Sequence, residues 1–497
     1  MAISPTAKVA LSAILIALCQ AIGVPVILRI PILIGLLVYC GLIAVRGTEF
    51  ASPISLFVIS WSAVWTLYCS EIVVYDGIQV GSSPYIYLLV CCALAPLSAA
   101  LTRAATRSLG PVLASEEAGQ IFLRSAVRNK PLISACAVAG ITSGLLVAYE
   151  TFVVRGASPL DIVILRALVE DHRESSIYSQ LGAVLAPGGL VSLCGVLLCS
   201  RVASRAEKAL WVAGALGSSA ISVISAGRQT VFQVVIIMFI SMALLRCLGL
   251  ARTVSKRRLW ITGIASSLIF AYMVVIGSLR NDALVSKDKY VVDLRMAQAH
   301  IEETINDRFE DLPGLVKDGT VESITYASAP IPNFASLWYA DIEKPQLGLF
   351  GFPFVTRRVR LLFPWVRSDT ERMQAYYNAM EAMGKSGEVW YTTVRDFIFD
   401  FGYLGALIVM CLYGVLAQKA AHLLANSPTF GSAMVIVSAS IVAAYFPLIS
   451  AISDTSVLLF TCLAVWLAWR ERTESLSEKQ IEMTQPTLEP VLRLIKG

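Results

Sequence analysis

Val9 to Leu28 reads VALSAILIALCQAIGVPVIL, a run of twenty residues without a charge. At 1.5 Å per residue it makes a helix of about 30 Å, the thickness of a bilayer's hydrocarbon core. Hydrocarbon offers no water to backbone N–H and C=O groups, so a crossing segment must satisfy them within its own helix. A second apolar run follows directly, so no cleavable signal peptide is needed and Val9–Leu28 reads as the first membrane helix. The pattern recurs along the chain. Of its 497 residues, 56% are hydrophobic and only 15% charged, with a mean hydropathy of +0.70, far more apolar than a soluble chain of this length. Runs of this kind fall near 9–28, 30–45, 52–69, 84–101, 131–152, 182–200, 209–226, 229–246, 259–278, 399–418, 430–449 and 454–469. They predict an all-α polytopic membrane protein with about twelve transmembrane helices.

The net charge of +5 matters less than where the cations sit. Basic clusters occupy Arg103 to Lys130, Arg201 to Lys208, Arg246 to Arg258, Lys419 to His422, and the tail from Arg470. All five fall on the cytoplasmic side if both termini are cytoplasmic, and one span more or fewer would send several to the wrong side. Residues 1–277 then hold nine spans with an outward loop at 153–181, and 278–398 form a large extracytoplasmic loop. Residues 399–470 hold three more spans, and 471–497 a polar cytoplasmic tail that reads as a mobile appendage. The cysteines lie almost entirely in apolar runs and the large loop has none. Neither a disulfide framework nor a zinc site is expected.

Function is sought in the two outward loops. In the smaller one, Ser158-Pro159-Leu160-Asp161 reads as a helix start with Ser158 as N-cap. On that helix Arg166 and Arg173 share a face with Glu170 between them, either as a salt-bridge ladder or as an anion site facing lipid headgroups. The larger loop has a helix-like stretch at Tyr290–Ile305 and a proline- and aromatic-rich middle from Tyr326 to Trp365. Such sequence outside a span skims the interface or packs on the bundle as a cap. Span interiors are nearly free of charge, with Glu150, Arg246 and Asp454 near predicted ends, which weighs against an ion-coupled transporter. Arginines gather instead at the outer rim: Arg228 in the tight turn Ser225-Ala226-Gly227-Arg228, Arg280 just beyond a span, and Arg357, Arg358, Arg360 and Arg395 in the cap. Guanidinium forks at headgroup depth suit phosphate or diphosphate oxygens. The alternative for each is a helix anchor on lipid phosphates. Arg228 is set apart by lying in an outward turn, against the positive-inside bias.

Glu388 to Gly405, EVWYTTVRDFIFDFGYLG, leads into the tenth span. Asp400 is placed as an N-cap for that helix, and Gly402 and Gly405 permit close helix approach. Asp396 and Asp400 lie four apart and repel on one helical face unless a cation, Arg395 or a rim arginine, intervenes. This segment resembles the end of the outer loop in Wzy-type polymerases, the O-antigen and exopolysaccharide repeat-unit polymerases. There an aromatic, threonine-bearing stretch enters an Asp-Phe-Gly-x-x-Gly helix start. The turn at Ser225–Arg228, the order of spans and the late large loop are similar to that family too.

The resemblance implies a GT-C-like fold in the bacterial inner membrane with the large loop periplasmic. It implies glycosyl transfer at the outer face, in which the growing glycan leaves its undecaprenyl diphosphate carrier for a hydroxyl on the next carrier-linked repeat unit. The partners implied are those lipid-linked units, membrane lipids and a chain-length-regulating co-polymerase, with no nucleic acid. Such chemistry needs positive charge against the departing diphosphate and a base for the acceptor hydroxyl. Candidates for the first are Arg228, Arg280, Arg166, Arg173, Arg357, Arg358, Arg360 and Arg395, with Tyr391 as a substrate contact. Candidates for the second are Asp400, Asp396, Glu388 and His172, with His300 ranked below His172. Neither an Asp-x-Asp nucleotide-sugar signature nor a P-loop occurs, so no metal, ATP or other cofactor is expected. An O-antigen ligase and a lipid-linked oligosaccharide transporter or flippase remain the alternatives.

Overall fold

The computed structural model describes residues 5–26, 28–29, 31–33, 35, 39, 51–75, 81–106, 116–158, 176–224, 229–251, 271, 299–302, 314–338, 345–353, 355–356, 363, 365, 369–382 and 391–484. Its helices are α1 (Pro5–Ala21), α2 (Pro53–Ser70), α3 (Ser83–Ala105), α4 (Glu116–Ala148, continued by a π-helical turn, Tyr149–Val154), α5 (Ile177–Leu185), α6 (Pro187–Cys199), α7 (Arg205–Ile224) and α8 (Gln229–Cys247). There follow α9 (Gly314–Ser328), α10 (Pro330–Leu337), α11 (Asp369–Ala382), α12 (Thr393–Asn426), α13 (Phe430–Tyr445) and α14 (Thr455–Thr484). Five helical segments are long and apolar enough to cross a membrane: Pro53–Ser70, Ser83–Ala105, Glu116–Val154, Ile177–Cys199 and Thr393–Asn426. Thr6–Ala21, Phe232–Cys247 and Phe430–Tyr445 are shorter apolar helices. Leu101, Leu145, Leu404 and Leu416 are exposed on these elements. An apolar outer surface of this kind suits lipid and not water. The expected span at 259–278, and most of that at 30–45, lie outside the described residues.

Several boundaries differ from expectation for local reasons. The first helix ends at Ala21 rather than Leu28, because Gly23 turns left-handed at φ 73° and Pro25 follows, two breakers that hydropathy ignores. α4 begins at Glu116, so half of the predicted basic loop is helix. α12 begins at Thr393, and Asp400 sits inside it rather than at its N-cap. α14 runs on to Thr484, so the first part of the supposed mobile tail is helical. Within the stretch expected to be helical, Ala299–Ile301 is a strand, β2, paired antiparallel with β1 (Val73–Tyr75). The helix predicted to follow Ser158 lies outside the described residues. The cap packs where it is described: every residue of α10 is buried.

Close packing of α4, α6 and α7 rests on glycine. A Cβ on Gly140 would stand 2.5 Å from the Gly214 carbonyl oxygen, and one on Gly217 2.6 Å from that of Gly140. Small residues of this kind let helix backbones touch where lipid offers no hydrophobic drive. At one end of the bundle three of the basic segments meet. Arg128 pairs with Glu474 at 2.8 Å and Lys130 with Glu207 at 3.3 Å, while Arg470 donates to the Asn129 side-chain oxygen at 2.6 Å. Between them Glu471 is buried. Its carboxylate accepts from Ser125 Oγ at 2.5 Å, Asn129 Nδ2 at 2.6 Å and the Gly431 backbone N–H at 2.8 Å.

Candidate functional site

α12 is interrupted at Gly402, whose φ of 72° and ψ of 177° fall in a region essentially restricted to glycine. A break strips the preceding turn of its helical donors and leaves its carbonyls exposed. Residues 346–351 supply replacements. Gln346 N–H donates to the Phe399 carbonyl at 2.9 Å and Leu347 N–H to the Asp400 carbonyl at 2.8 Å. The Phe350 N–H then reaches Asp400 Oδ1 at 2.8 Å, and the Gly351 N–H reaches Oδ2 at 2.7 Å. Four bonds thus stitch the cap loop to the broken helix, and both carboxylate oxygens of Asp400 take part. Gly351 admits no side chain there, because a Cβ would lie 2.7 Å from Oδ2.

One turn earlier on α12, Arg395 Nε donates to Asp396 Oδ1 at 2.9 Å, and both side chains are largely buried. The guanidinium lies 4.5 Å from the Tyr391 ring centroid, 5.4 Å from that of Phe350 and 5.9 Å from that of Phe399. Aromatic faces at these distances partly replace lost water around a cation. Tyr376 of α11 closes the cluster, its ring 4.8 Å from Phe399 and 6.2 Å from Tyr391. Burial pushes both phenols above the ordinary tyrosine range, with the Arg395 charge pulling the other way. At neutral pH they are therefore neutral O–H groups. No family model, no curated protein and no solved structure matches this chain.

The cluster is anchored to the C-terminal end of α13. Thr393 N–H donates to the Phe446 carbonyl at 3.0 Å, and its hydroxyl to the Ile449 carbonyl at 2.8 Å. Just beyond, Asp454 caps α14 by accepting the Ser456 N–H at 2.7 Å. Past the break, Tyr87 of α3 donates to the Tyr403 carbonyl at 2.6 Å. Trp338 stacks edge-on against Tyr403 with centroids 4.9 Å apart.

Of the residues predicted from sequence, Tyr391, Arg395, Asp396 and Asp400 come together. The expected single cation between the two aspartates is replaced by two separate solutions, Arg395 for Asp396 and backbone N–H groups for Asp400. His300 lies apart in β2, opposite Val74 and exposed. Arg166, His172, Arg173, Arg228, Arg280, Arg357, Arg358, Arg360 and Glu388 lie outside the described residues. Two of these stretches adjoin described anchors. Arg357 follows Thr356, whose hydroxyl donates to the Leu349 carbonyl at 2.5 Å, and Arg228 precedes Gln229, the first residue of α8. Sequence reasoning missed Tyr376, Phe350 and Gly351. The glycines of Leu347-Gly-Leu-Phe-Gly351 were the available signal, since backbone donors become accessible where side chains are absent. Among the described residues, no group of three or more His, Cys, Asp and Glu side chains is placed to hold a metal ion.

Proposed function

We propose that this chain polymerises undecaprenyl-diphosphate-linked oligosaccharide repeat units by glycosyl transfer at the outer face of a bacterial inner membrane. The observation that supports this reading most is the convergence of Tyr391, Arg395, Asp396 and Asp400. All four lie in the segment that resembles the Wzy-type polymerases, and they meet where a helix break is stitched to the cap. A bond forms between the acceptor hydroxyl oxygen and the anomeric carbon of the growing glycan. The bond from that carbon to the diphosphate oxygen breaks, and its electron pair leaves with the carrier diphosphate. Asp396 takes the hydroxyl proton, with Glu388 and His172 as the alternative acceptors. Arg395 orients Asp396, and Asp400 acts as a positioning residue that holds residues 346–351 against the site. The growing charge of the departing diphosphate calls for cations, a role assigned to Arg228, Arg280, Arg166, Arg173, Arg357, Arg358 and Arg360. Both termini are cytoplasmic, and a chain-length-regulating partner acts on the same product.

The test uses purified protein in lipid vesicles with polyprenyl-diphosphate-linked repeat units and no nucleotide or metal. The expected product is a ladder spaced by one repeat unit, lost in Arg228→Ala and Arg280→Ala and reduced on the order of a hundredfold or more in Asp396→Asn. A single transfer to a different acceptor assigns the chain to the ligase class. Intact lipid-linked units crossing the vesicle membrane without a ladder make it a transporter.

A further inference from the structure

At the far end of α12 from Asp400, a groove of about 490 Å³ opens between α12, α13 and α14. That volume lies in the range of about 300–1,000 Å³ that admits small ligands. Its walls are apolar: Leu416, Leu423, Val435, Ala439, Val465 and Trp469. Leu416, Val465 and Trp469 are exposed, so the groove opens toward the bundle's surroundings. The polar groups along it are already bonded to protein. Ser438 and Thr461 share a hydrogen bond of 2.6 Å, and the Tyr413 hydroxyl donates to the Ala439 carbonyl at 3.3 Å. An occupant therefore finds hydrocarbon and no polar partner until it reaches Lys419 and Arg472, which also line the groove.

Those two cations are unlike their neighbours. Arg128, Lys130 and Arg470 each have a carboxylate within 4.0 Å, whereas the side chains of Lys419 and Arg472 make no ion pair or hydrogen bond among the described residues and both residues are exposed. From Thr461 to Arg472 the wall of α14 runs about 16 Å, close to half of a hydrocarbon core of roughly 30 Å. From Tyr403 to Lys419, α12 rises about 24 Å, which sets the cationic mouth of the groove most of a hydrocarbon core of roughly 30 Å away from the helix break. We propose that the groove binds one anionic phospholipid of the leaflet that carries the basic clusters, its phosphate between Lys419 and Arg472 and an acyl chain along the apolar wall. Two unneutralised cations at the mouth of a dry, leaflet-deep groove match an anionic headgroup joined to a hydrocarbon tail, and they match a zwitterionic lipid less well.

The test reads lipid retention and does not depend on catalytic activity. Full-length protein is reconstituted in bilayers of phosphatidylcholine with a minor share of phosphatidylglycerol, extracted in mild detergent and weighed intact by native mass spectrometry. The expected result is one phosphatidylglycerol per chain retained by the natural sequence, with binding roughly 30-fold weaker in the Lys419→Gln/Arg472→Gln variant. Ala439→Trp, which fills the groove and keeps both cations, is expected to lose the lipid as well. Equal retention in the charge variant, or equal retention of phosphatidylcholine, overturns the proposal. So does a two-chain mass that Ala439→Trp alone dissolves, which gives the groove to a second copy of the chain.

Discussion

Asp400 holds two backbone donors at once, and an asparagine in its place offers only one acceptor oxygen. The second donor then faces an NH₂ group and stays buried without a partner, at a cost of about 1–3 kcal/mol. Asp400→Asn is therefore expected to unfold at lower temperature in detergent. Gly402→Ala is expected to do the same, because its backbone geometry costs a side-chain-bearing residue about 1–3 kcal/mol. A variant of either kind that melts with the natural protein would show that the cap loop is not fastened through the break. The sequence displays the charges of Arg395, Asp396 and Asp400 and the ring of Tyr391, so their kinship was legible. The partners of Asp400 were not, since a backbone N–H has no letter of its own. Asp-Phe-Gly before an apolar run also matches a helix start so well that its true place, seven residues into a helix that had begun at Thr393, stayed hidden.

Helix ends hold the next scale of information. Ser204 and Glu207 form a capping box at the start of α7, with Ser204 N–H donating to Glu207 Oε2 at 2.6 Å and Glu207 N–H to Ser204 Oγ at 3.2 Å. The bond from the Ser204 N–H, then its hydroxyl, and the nearby Lys130 hold the Glu207 carboxyl below its ordinary range. A carboxylate of lowered pKa contributes stability that is present above the unfolded value and is lost as pH falls through the folded one. Acidification below about 4 is thus expected to lower the melting temperature of the natural protein more than that of Glu207→Gln, measured side by side. Ser-x-x-Glu before an apolar run is a written signature of such a start. The touching glycines of α4 and α7 were written too, at Gly140 and Gly144 and at Gly214 and Gly217. Spacing by itself does not say which helix faces which.

Over the whole molecule, charge avoids hydrocarbon wherever it occurs, and three of the five predicted basic segments meet at one end, through Arg128 and Lys130, Glu207, and Arg470. Their junction was not legible, since Ser125 and Glu471 are 346 residues apart and no local pattern links them. Glu471→Ala leaves the Ser125 hydroxyl, the Asn129 amide and the Gly431 N–H short of an acceptor inside the bundle. The expected loss is about 3 kcal/mol or more, seen as earlier unfolding and as faster trypsin cleavage at Arg472. Unchanged cleavage would mean that α14 is held by its apolar face alone. The stitched break also bears on how the chain is made. Residues 346–351 leave the ribosome before residues 399–402, so the donors exist before the carbonyls that need them. When the interrupted turn forms, the chain that completes its hydrogen bonds has therefore already been made.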